Sequence, residues 1–242
     1  MKQFTFTLLL VYLSLSAFSQ KEIWVEASLK GGYGLSFLHN KNIADDGSYK
    51  YQLSTTHSFG GRFALNFGAF NGVSVEAMYN NLSQEYLYNL DGNPNDLTNN
   101  IEWASIDAMI LYRYIRNRIY VEVGPMYSMT QNVDQMDNGN EILSAQSYYA
   151  DNYFSGVFGW GGYIAGSETF SLGIGMRLSY TFSDFINDEG QKQGFPNPVK
   201  NVAYETYESS NQAFVQFMLE LNFGIGRFAR TACTERMKFF RR

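Results

Sequence analysis

The stretch from residue 170 to residue 182 reads Phe-Ser-Leu-Gly-Ile-Gly-Met-Arg-Leu-Ser-Tyr-Thr-Phe. Every even position is large and apolar, and every odd position is small or polar, with a single charge at Arg177. Because successive side chains of a β-strand point to opposite faces, this two-residue period predicts a strand with one apolar face and one polar face.

The same alternation recurs in seven further segments, which makes eight predicted strands in all. We expect these seven over residues 23–37, 58–70, 72–81, 102–115, 118–128, 154–166 and 212–225. Pro125 has no backbone N–H to give to a strand ladder, so it predicts a β-bulge within the fifth strand. Tight turns near residues 70–72, 115–117 and 165–168 alternate with long polar stretches near 38–57, 82–101, 129–153 and 184–211.

The first nineteen residues read as a secretory signal peptide. Lys2 supplies the positive charge, residues 8–13 form a short apolar run, and Ala17-Phe18-Ser19 provides a small-x-small cleavage site. A signal anchor is the alternative, although the apolar run is short for a membrane span. We therefore divide the chain into a signal peptide (1–19), a β-barrel (20–226) and a basic periplasmic tail (227–242).

Nine ionisable side chains fall on the polar face of the predicted strands. They are Glu26, Lys30, Arg62, Glu76, Asp107, Arg113, Glu122, Arg177 and Glu220. A soluble, lipocalin-like barrel, which would bury its apolar face and show the polar one to water, is the main structural alternative, since periodicity alone does not say which face is outside. Nine ionisable groups on one face would be hard to bury as a soluble core, but they make sense as a paired polar lumen. Together with the signal peptide, the pattern predicts an all-β, eight-stranded antiparallel up-and-down transmembrane β-barrel with short periplasmic turns and long extracellular loops, in the outer membrane of a Gram-negative bacterium.

An eight-stranded barrel leaves an interior just wide enough for side chains to fill. The predicted inward set holds five acidic and four basic groups, which nearly balance. Because an unpaired buried charge costs several kcal/mol, we expect these groups to form an ion-pair network that plugs the lumen. A narrow gated conduit is the alternative.

Charge outside the barrel is unevenly distributed. The four predicted loops hold fourteen acidic side chains against four lysines, whereas the predicted tail is basic. Its cations are Arg227, Arg230, Arg236, Lys238, Arg241 and Arg242. Such a tail suits anionic lipid headgroups or an acidic periplasmic protein, and the tyrosine-rich loops suit either protein contacts or packing on each other. We expect outer-membrane lipid, lipopolysaccharide and a protein as partners, and no nucleic acid.

No catalytic motif stands out, and we expect neither a catalytic residue nor a metal or cofactor. His39 and His57 flank the first predicted loop, near Ser36, Ser58 and the acidic pair Asp45–Asp46. Some small outer-membrane barrels that acylate or deacylate lipid A place histidine, serine and an acid near that rim. A lipid A-modifying enzyme is therefore kept as an alternative hypothesis.

The layout resembles the PorT-like and OmpA-like outer-membrane β-barrel proteins of Bacteroidetes. The likeness lies in the signal ending at residues 17–20, the opening Leu29-Lys30-Gly31-Gly32-Tyr33-Gly34, the segment 120–127 and the last strand 215–223. This resemblance implies a non-enzymatic structural or accessory subunit of an envelope or secretion assembly. The tail departs from the OmpA-like pattern because it is too short for a peptidoglycan-binding domain. A surface adhesin that binds through its loops is a further alternative.

Overall fold

The computed structural model describes residues 22–68, 70–89, 97–167, 169–198, 206–231 and 234–239. The predicted signal peptide, Arg241 and Arg242 lie outside these residues. The elements in chain order are β1 (Glu22–Asn40), α1 (Lys41–Asp45), β2 (Tyr49–Tyr51), β3 (Ser54–Phe67), β4 (Asn71–Tyr88), β5 (Leu97–Arg116), β6 (Ile119–Asp137), β7 (Asn140–Glu141), a 3-10 turn (Ala145–Tyr148), β8 (Asn152–Gly166), β9 (Phe170–Thr181), α2 (Asp188–Lys192), β10 (Ser210–Thr231) and β11 (Thr234–Phe239). No helix in the described part of the chain is long and apolar enough to cross a membrane.

Eight long strands form one closed antiparallel ring. Their order is β1-β3-β4-β5-β6-β8-β9-β10, and β10 pairs with β1 from Ser210 opposite Asn40 down to Ala229 opposite Glu22. Each strand neighbours the next long strand in the chain, which is up-and-down connectivity. The predicted eight-stranded barrel is confirmed, and each of the eight predicted segments overlaps one strand of the ring.

The two faces of the ring differ sharply in chemistry. The outward face is an exposed belt of large apolar side chains, including Leu29, Phe63, Val75, Ile110 and Phe217, while the charged and amide side chains of the same strands are buried inside. Leaving so much apolar surface in water would be costly, whereas in a bilayer it meets hydrocarbon. The protein is thus a transmembrane β-barrel of the outer membrane.

Several strands extend further on the loop side than the sequence predicted. β4 runs to Tyr88 and β6 to Asp137, although residues 82–101 and 129–153 were expected to be loops. The alternation continues there with its polarity inverted. In β4, Leu82 and Tyr86 point into the barrel, whereas Ser83 and Glu85 between them are partly exposed outside. The inversion marks the height at which the wall leaves the membrane and enters water.

The expected bulge at Pro125 is wrong. The β5–β6 register is the same on both sides of Pro125, and Pro125 pairs in register with Gly156 of β8. The β5–β6 register shifts instead between Ala104 and Ser105, whose partners Asn132 and Thr130 leave Gln131 as the extra residue. This bulge exchanges the faces of β6, so that Val133 is buried although the odd-numbered positions below it face outward.

At the periplasmic end the strands are joined by tight turns. Asn117 and Arg118, both with positive φ, link β5 to β6 in a two-residue hairpin. β10 continues to Thr231, beyond the expected end of the barrel at residue 226, and β11 pairs back along it over Gly226–Thr231. The first part of the predicted tail is therefore strand, and the tail forms a β-hairpin at the periplasmic rim.

Candidate functional site

Six charged side chains meet across the middle of the lumen and form a closed ring of alternating sign. Every one of these six side chains is at least 96 % buried. In order round the ring they are Lys30, Glu76, Arg177, Glu122, Arg113 and Glu220, from β1, β4, β9, β6, β5 and β10. The three cations and three carboxylates are formally neutral as a set, which is the condition for keeping them all ionised in a dry interior.

The contacts in this six-membered ion-pair ring are short and shared. Lys30 Nζ lies 3.0 Å from Glu76 Oε1 and 2.9 Å from Glu220 Oε1. Arg177 Nη2 donates to Glu76 Oε2 at 2.8 Å and also to Glu122. Arg113 donates to both oxygens of Glu220, at 2.9 and 2.8 Å. Each carboxylate therefore contacts at least two cations, and the side chains fill the cross-section of the barrel.

Two aromatic groups and a glycine support the ring from strands β6 and β8. The Arg113 guanidinium lies over the Tyr120 ring, 3.9 Å from its centroid, and the Tyr120 hydroxyl donates to Glu220 Oε1 at 3.0 Å. The hydroxyl of Tyr163 accepts from Arg113 Nη1 at 3.3 Å. A Cβ at Gly159 would lie 2.8 Å from the Glu122 carboxylate, so only glycine leaves that space.

The other three predicted inward charges lie inside the barrel but do not belong to the six-membered ion-pair ring. Arg62 forms a separate ion pair with Glu26 and also donates to Asn222 Oδ1 at 3.0 Å. Asp107 accepts from Ser105 Oγ at 2.8 Å and from Asn80, and no cation contacts it among the described residues. The structure thus resolves the predicted network into a neutral ring, a neutral pair and one carboxylate that is held by neutral donors.

Above the charged levels the lumen changes to an apolar cluster, which we call the crown. It fills the extracellular mouth with side chains from strands and loops alike. Its aromatic members are Tyr49, Tyr86, Tyr88, Trp103, Tyr149, Tyr153, Phe185, Phe195 and Phe214. Phe185 is fully buried, with ring centroids 5.4 Å from Trp103 and 5.0 Å from Tyr149. Most of the loop tyrosines therefore pack on each other, and they are not presented on the surface.

The β9–β10 loop forms the lid of the crown. The Pro196 carbonyl accepts from Asn99 Nδ2 at 2.9 Å and from Gln135 Nε2 at 2.7 Å, which fastens the loop to β5 and β6. The Tyr149 hydroxyl donates to Gln135 Oε1 at 2.8 Å, and burial raises the pKa of this tyrosine well above its ordinary value. The mouth is thus closed by a hydrogen-bonded, close-packed segment of the chain.

The residues behind the lipid A hypothesis are not brought together. His57 is exposed on the outer face, and its Nε2 lies 3.0 Å from Asn81 Nδ2. The neighbouring serines point inward, where Ser58 donates to Gln216 Oε1 and Ser36 to the Ser83 carbonyl. His39 is also exposed, at the extracellular end of β1. The wall of the barrel separates the histidines from both serines. Within the described residues, no group of three or more His, Cys, Asp or Glu side chains could hold a metal ion.

The basic tail is described at the level of its backbone. Arg227 pairs in register with Lys238, and Ala229 pairs with Arg236, in the β10–β11 hairpin. Arg230 pairs with Glu235 near the hairpin end. The hairpin therefore concentrates four of the six predicted basic positions at the periplasmic rim.

Sequence reasoning missed the supporting residues of the ring and most of the crown. Tyr120 and Tyr163 occupy inward positions, but the period alone does not show which carboxylate a tyrosine will reach. Gly159 was visible only as part of a Gly-rich strand. The sequence feature that could have predicted the crown is the inverted alternation above the membrane, for example Leu82-Ser83-Gln84-Glu85-Tyr86.

Of three comparisons with known proteins, only the one with solved structures gives matches. No known family model matches it. No curated protein matches it either. Among solved structures it is similar to Neisserial surface protein A, with a TM-score of 0.42 and 9% identity over 82% of this chain and 96% of that one. It is similar to the outer membrane protein OprG from Pseudomonas aeruginosa (TM-score 0.39, 12% identity, 87% and 97% coverage). It is also similar to the attachment invasion locus protein Ail of Yersinia pestis, solved with a heparin analogue (TM-score 0.39, 12% identity, 83% and 99% coverage).

Proposed function

We propose that the protein is a non-enzymatic, non-conducting outer-membrane barrel that serves as a structural or accessory subunit of an envelope assembly. The observation that carries this proposal is the six-membered ion-pair ring. It occupies the lumen with groups that cannot move apart singly without leaving an uncompensated charge. The barrel therefore works through its surfaces.

The crown supports the same reading. A porin or a receptor for small solutes needs an open mouth, whereas here the loops fold inward and pack on Trp103 and Phe185. The surfaces left for contacts are the apolar wall, the loop tops and the periplasmic rim with its basic hairpin. The resemblance of the opening, fifth and last strands to PorT-like proteins favours a partner in the envelope over a soluble ligand.

Planar-bilayer conductance tests the non-conducting part of the proposal. The purified barrel should give no stable open steps at moderate voltage. A matched variant with Arg113→Ser, Glu122→Ser and Arg177→Ser removes half of the ring and should give steps or a raised leak. Stable conductance from the unaltered protein would contradict the proposal.

Cross-linking in intact cells tests the subunit part. The full chain, purified in mild detergent after cross-linking, should carry a stoichiometric envelope protein. Reversing the charge of the hairpin with Arg227→Glu and Lys238→Glu should reduce that yield several-fold while the barrel content of the membrane stays the same. A monomer that yields no cross-linked partner, or a change in lipid A mass that depends on the protein, would sink the proposal.

A further inference from the structure

The outer wall of the barrel carries an apolar groove of ≈ 1010 Å³ on the side formed by β6, β8, β9, β10 and β1. Outward side chains of Tyr33, Trp160 and Phe217 form its upper edge, and Ile164 lies at its lower end. Large apolar side chains such as Phe59, Phe63 and Ile110 cover other parts of the wall. The groove therefore needs a local cause.

That cause is a pair of outward glycines in one cross-strand row. Ile119 pairs with Gly162, Gly162 with Ile174, Ile174 with Leu219, and Leu219 with Gly31. The row above it, which contains Trp160 and Phe217, has no glycine between Val121 and Tyr33. Below the bulky row the wall is low at Gly162 and Gly31, and Ile174 and Leu219 between them line the floor of a trough.

The course and length of this trough suit one acyl chain. It begins at the periplasmic end of β6 and ends at Gly31, which lies midway along the apolar face of β1. Its five strands are about 4.8 Å apart, so the row is about 19 Å long. Because the strands of such barrels are tilted by about 35–45°, this row rises by about 12 Å as it crosses them, which is most of the inner half of a hydrocarbon core about 30 Å thick.

A cation stands at the periplasmic end of the trough. Arg118, which lines the groove, is exposed in the β5–β6 turn, and Arg116 is exposed two residues before it. The Arg118 carbonyl accepts from the Tyr163 backbone N–H at 2.8 Å, which ties the turn to β8. An exposed guanidinium on this anchored turn, at the level of the inner-leaflet headgroups, is a partner for a phosphate.

We propose that this groove is a specific binding site for one inner-leaflet glycerophospholipid, with an acyl chain along the row from Ile119 to Gly31 and its phosphate at Arg118. The site is independent of the lumen and of any protein partner. Lipid A belongs to the opposite leaflet, where its phosphates could not reach Arg118 while its chains occupy the row.

Tryptophan fluorescence gives a direct test. The chain has three tryptophans, and Trp24→Phe leaves two of them. Trp160 lines the groove, and Trp103 is buried in the crown. Chain-brominated phosphatidylglycerol, titrated into the full barrel in detergent micelles, should quench Trp160 saturably, with about one lipid per protein. Linear quenching without saturation would overturn the proposal.

The glycines allow a matched pair of variants. A Cβ at Gly31 would have its nearest neighbour at 3.8 Å, and one at the outward Gly61, outside the groove, at 3.5 Å. Gly31→Leu should weaken lipid binding at least about tenfold, which is about 1.4 kcal/mol, whereas Gly61→Leu should leave it unchanged. Equal binding by both variants would rule the site out, and Gly31→Ala replaces Gly31→Leu if the latter does not fold.

A second experiment separates the contribution of the lipid phosphate to binding from that of the acyl chain. Arg118→Gln should weaken the binding of brominated phosphatidylglycerol several-fold but leave that of brominated diacylglycerol unchanged. Tighter saturable binding of lipid A than of phosphatidylglycerol would assign the groove to the other leaflet and contradict the proposal.

Discussion

At the scale of single residues, neutrality of the ring matters more than the strength of any one contact. Lys30 contributes to three pairs and each arginine to two, so the cost of desolvating six charges is offset only while all six are present. Asp107 shows the other solution to the same problem, because hydroxyl and amide donors hold its carboxylate without a cation.

Removing one arginine should therefore cost more than removing an arginine with its partner. Arg177→Met leaves Glu76 and Glu122 underpaired, and we expect the free energy of unfolding to fall by about 3–5 kcal/mol. Arg177→Met combined with Glu122→Gln restores the balance with two cations and two carboxylates, so part of the loss should be recovered. Urea unfolding in micelles measures both. A double variant less stable than the single variant would show that neutrality is not the controlling factor.

At the scale of elements, each strand has two chemistries along its length. Within the membrane, Val73, Val75 and Ala77 of β4 face lipid; above it, the outward residues are Asn81, Ser83 and Glu85. The period placed all eight strands and the inward charges correctly, because alternation is unbroken inside the bilayer. It ended the strands too early because the inverted segments look like polar loops, and it could not find the bulge at Gln131, where pairing with β5 decides which residue is extra.

The lid should depend on its aromatic anchor. Phe185→Ala removes a fully buried ring from the crown, a change that costs about 3–5 kcal/mol in a packed core. Because the Phe185 ring packs on Trp103 and Tyr149, its loss should raise local opening of the loop, and trypsin should cut after the exposed Lys192 many times faster. Leu143→Ala is the control. Leu143 lies between β7 and the 3-10 turn and is 80% exposed, so its loss should leave the cleavage rate unchanged. Equal cleavage of both variants would mean that the hydrogen bonds of the loop hold the lid without this ring.

At the scale of the whole molecule, the two ends of the barrel are built for different surroundings. The extracellular end is closed by the crown, while the periplasmic end has turns of two or three residues, exposed arginines and a basic hairpin. On the function proposed above, a closed mouth, a neutral plug and a basic hairpin leave the periplasmic side and the wall as the surfaces for interaction. Sequence alone predicted this polarity of charge, but not that the loops would fold into the mouth, since that depends on contacts between residues as distant as Trp103 and Phe185.

This orientation predicts a one-sided labelling pattern. In a Cys233→Ser background, Leu143→Cys places a thiol on an exposed loop, and Arg116→Cys places one at an exposed periplasmic turn. A membrane-impermeant maleimide should label Leu143→Cys in intact cells and should label Arg116→Cys only after the outer membrane is permeabilised. The reason is that a reagent excluded by the bilayer and by a plugged lumen reaches the turns by no other route. Labelling of Arg116→Cys in intact cells, with Leu143→Cys protected, would reverse the barrel and with it the assignment of the groove to the inner leaflet.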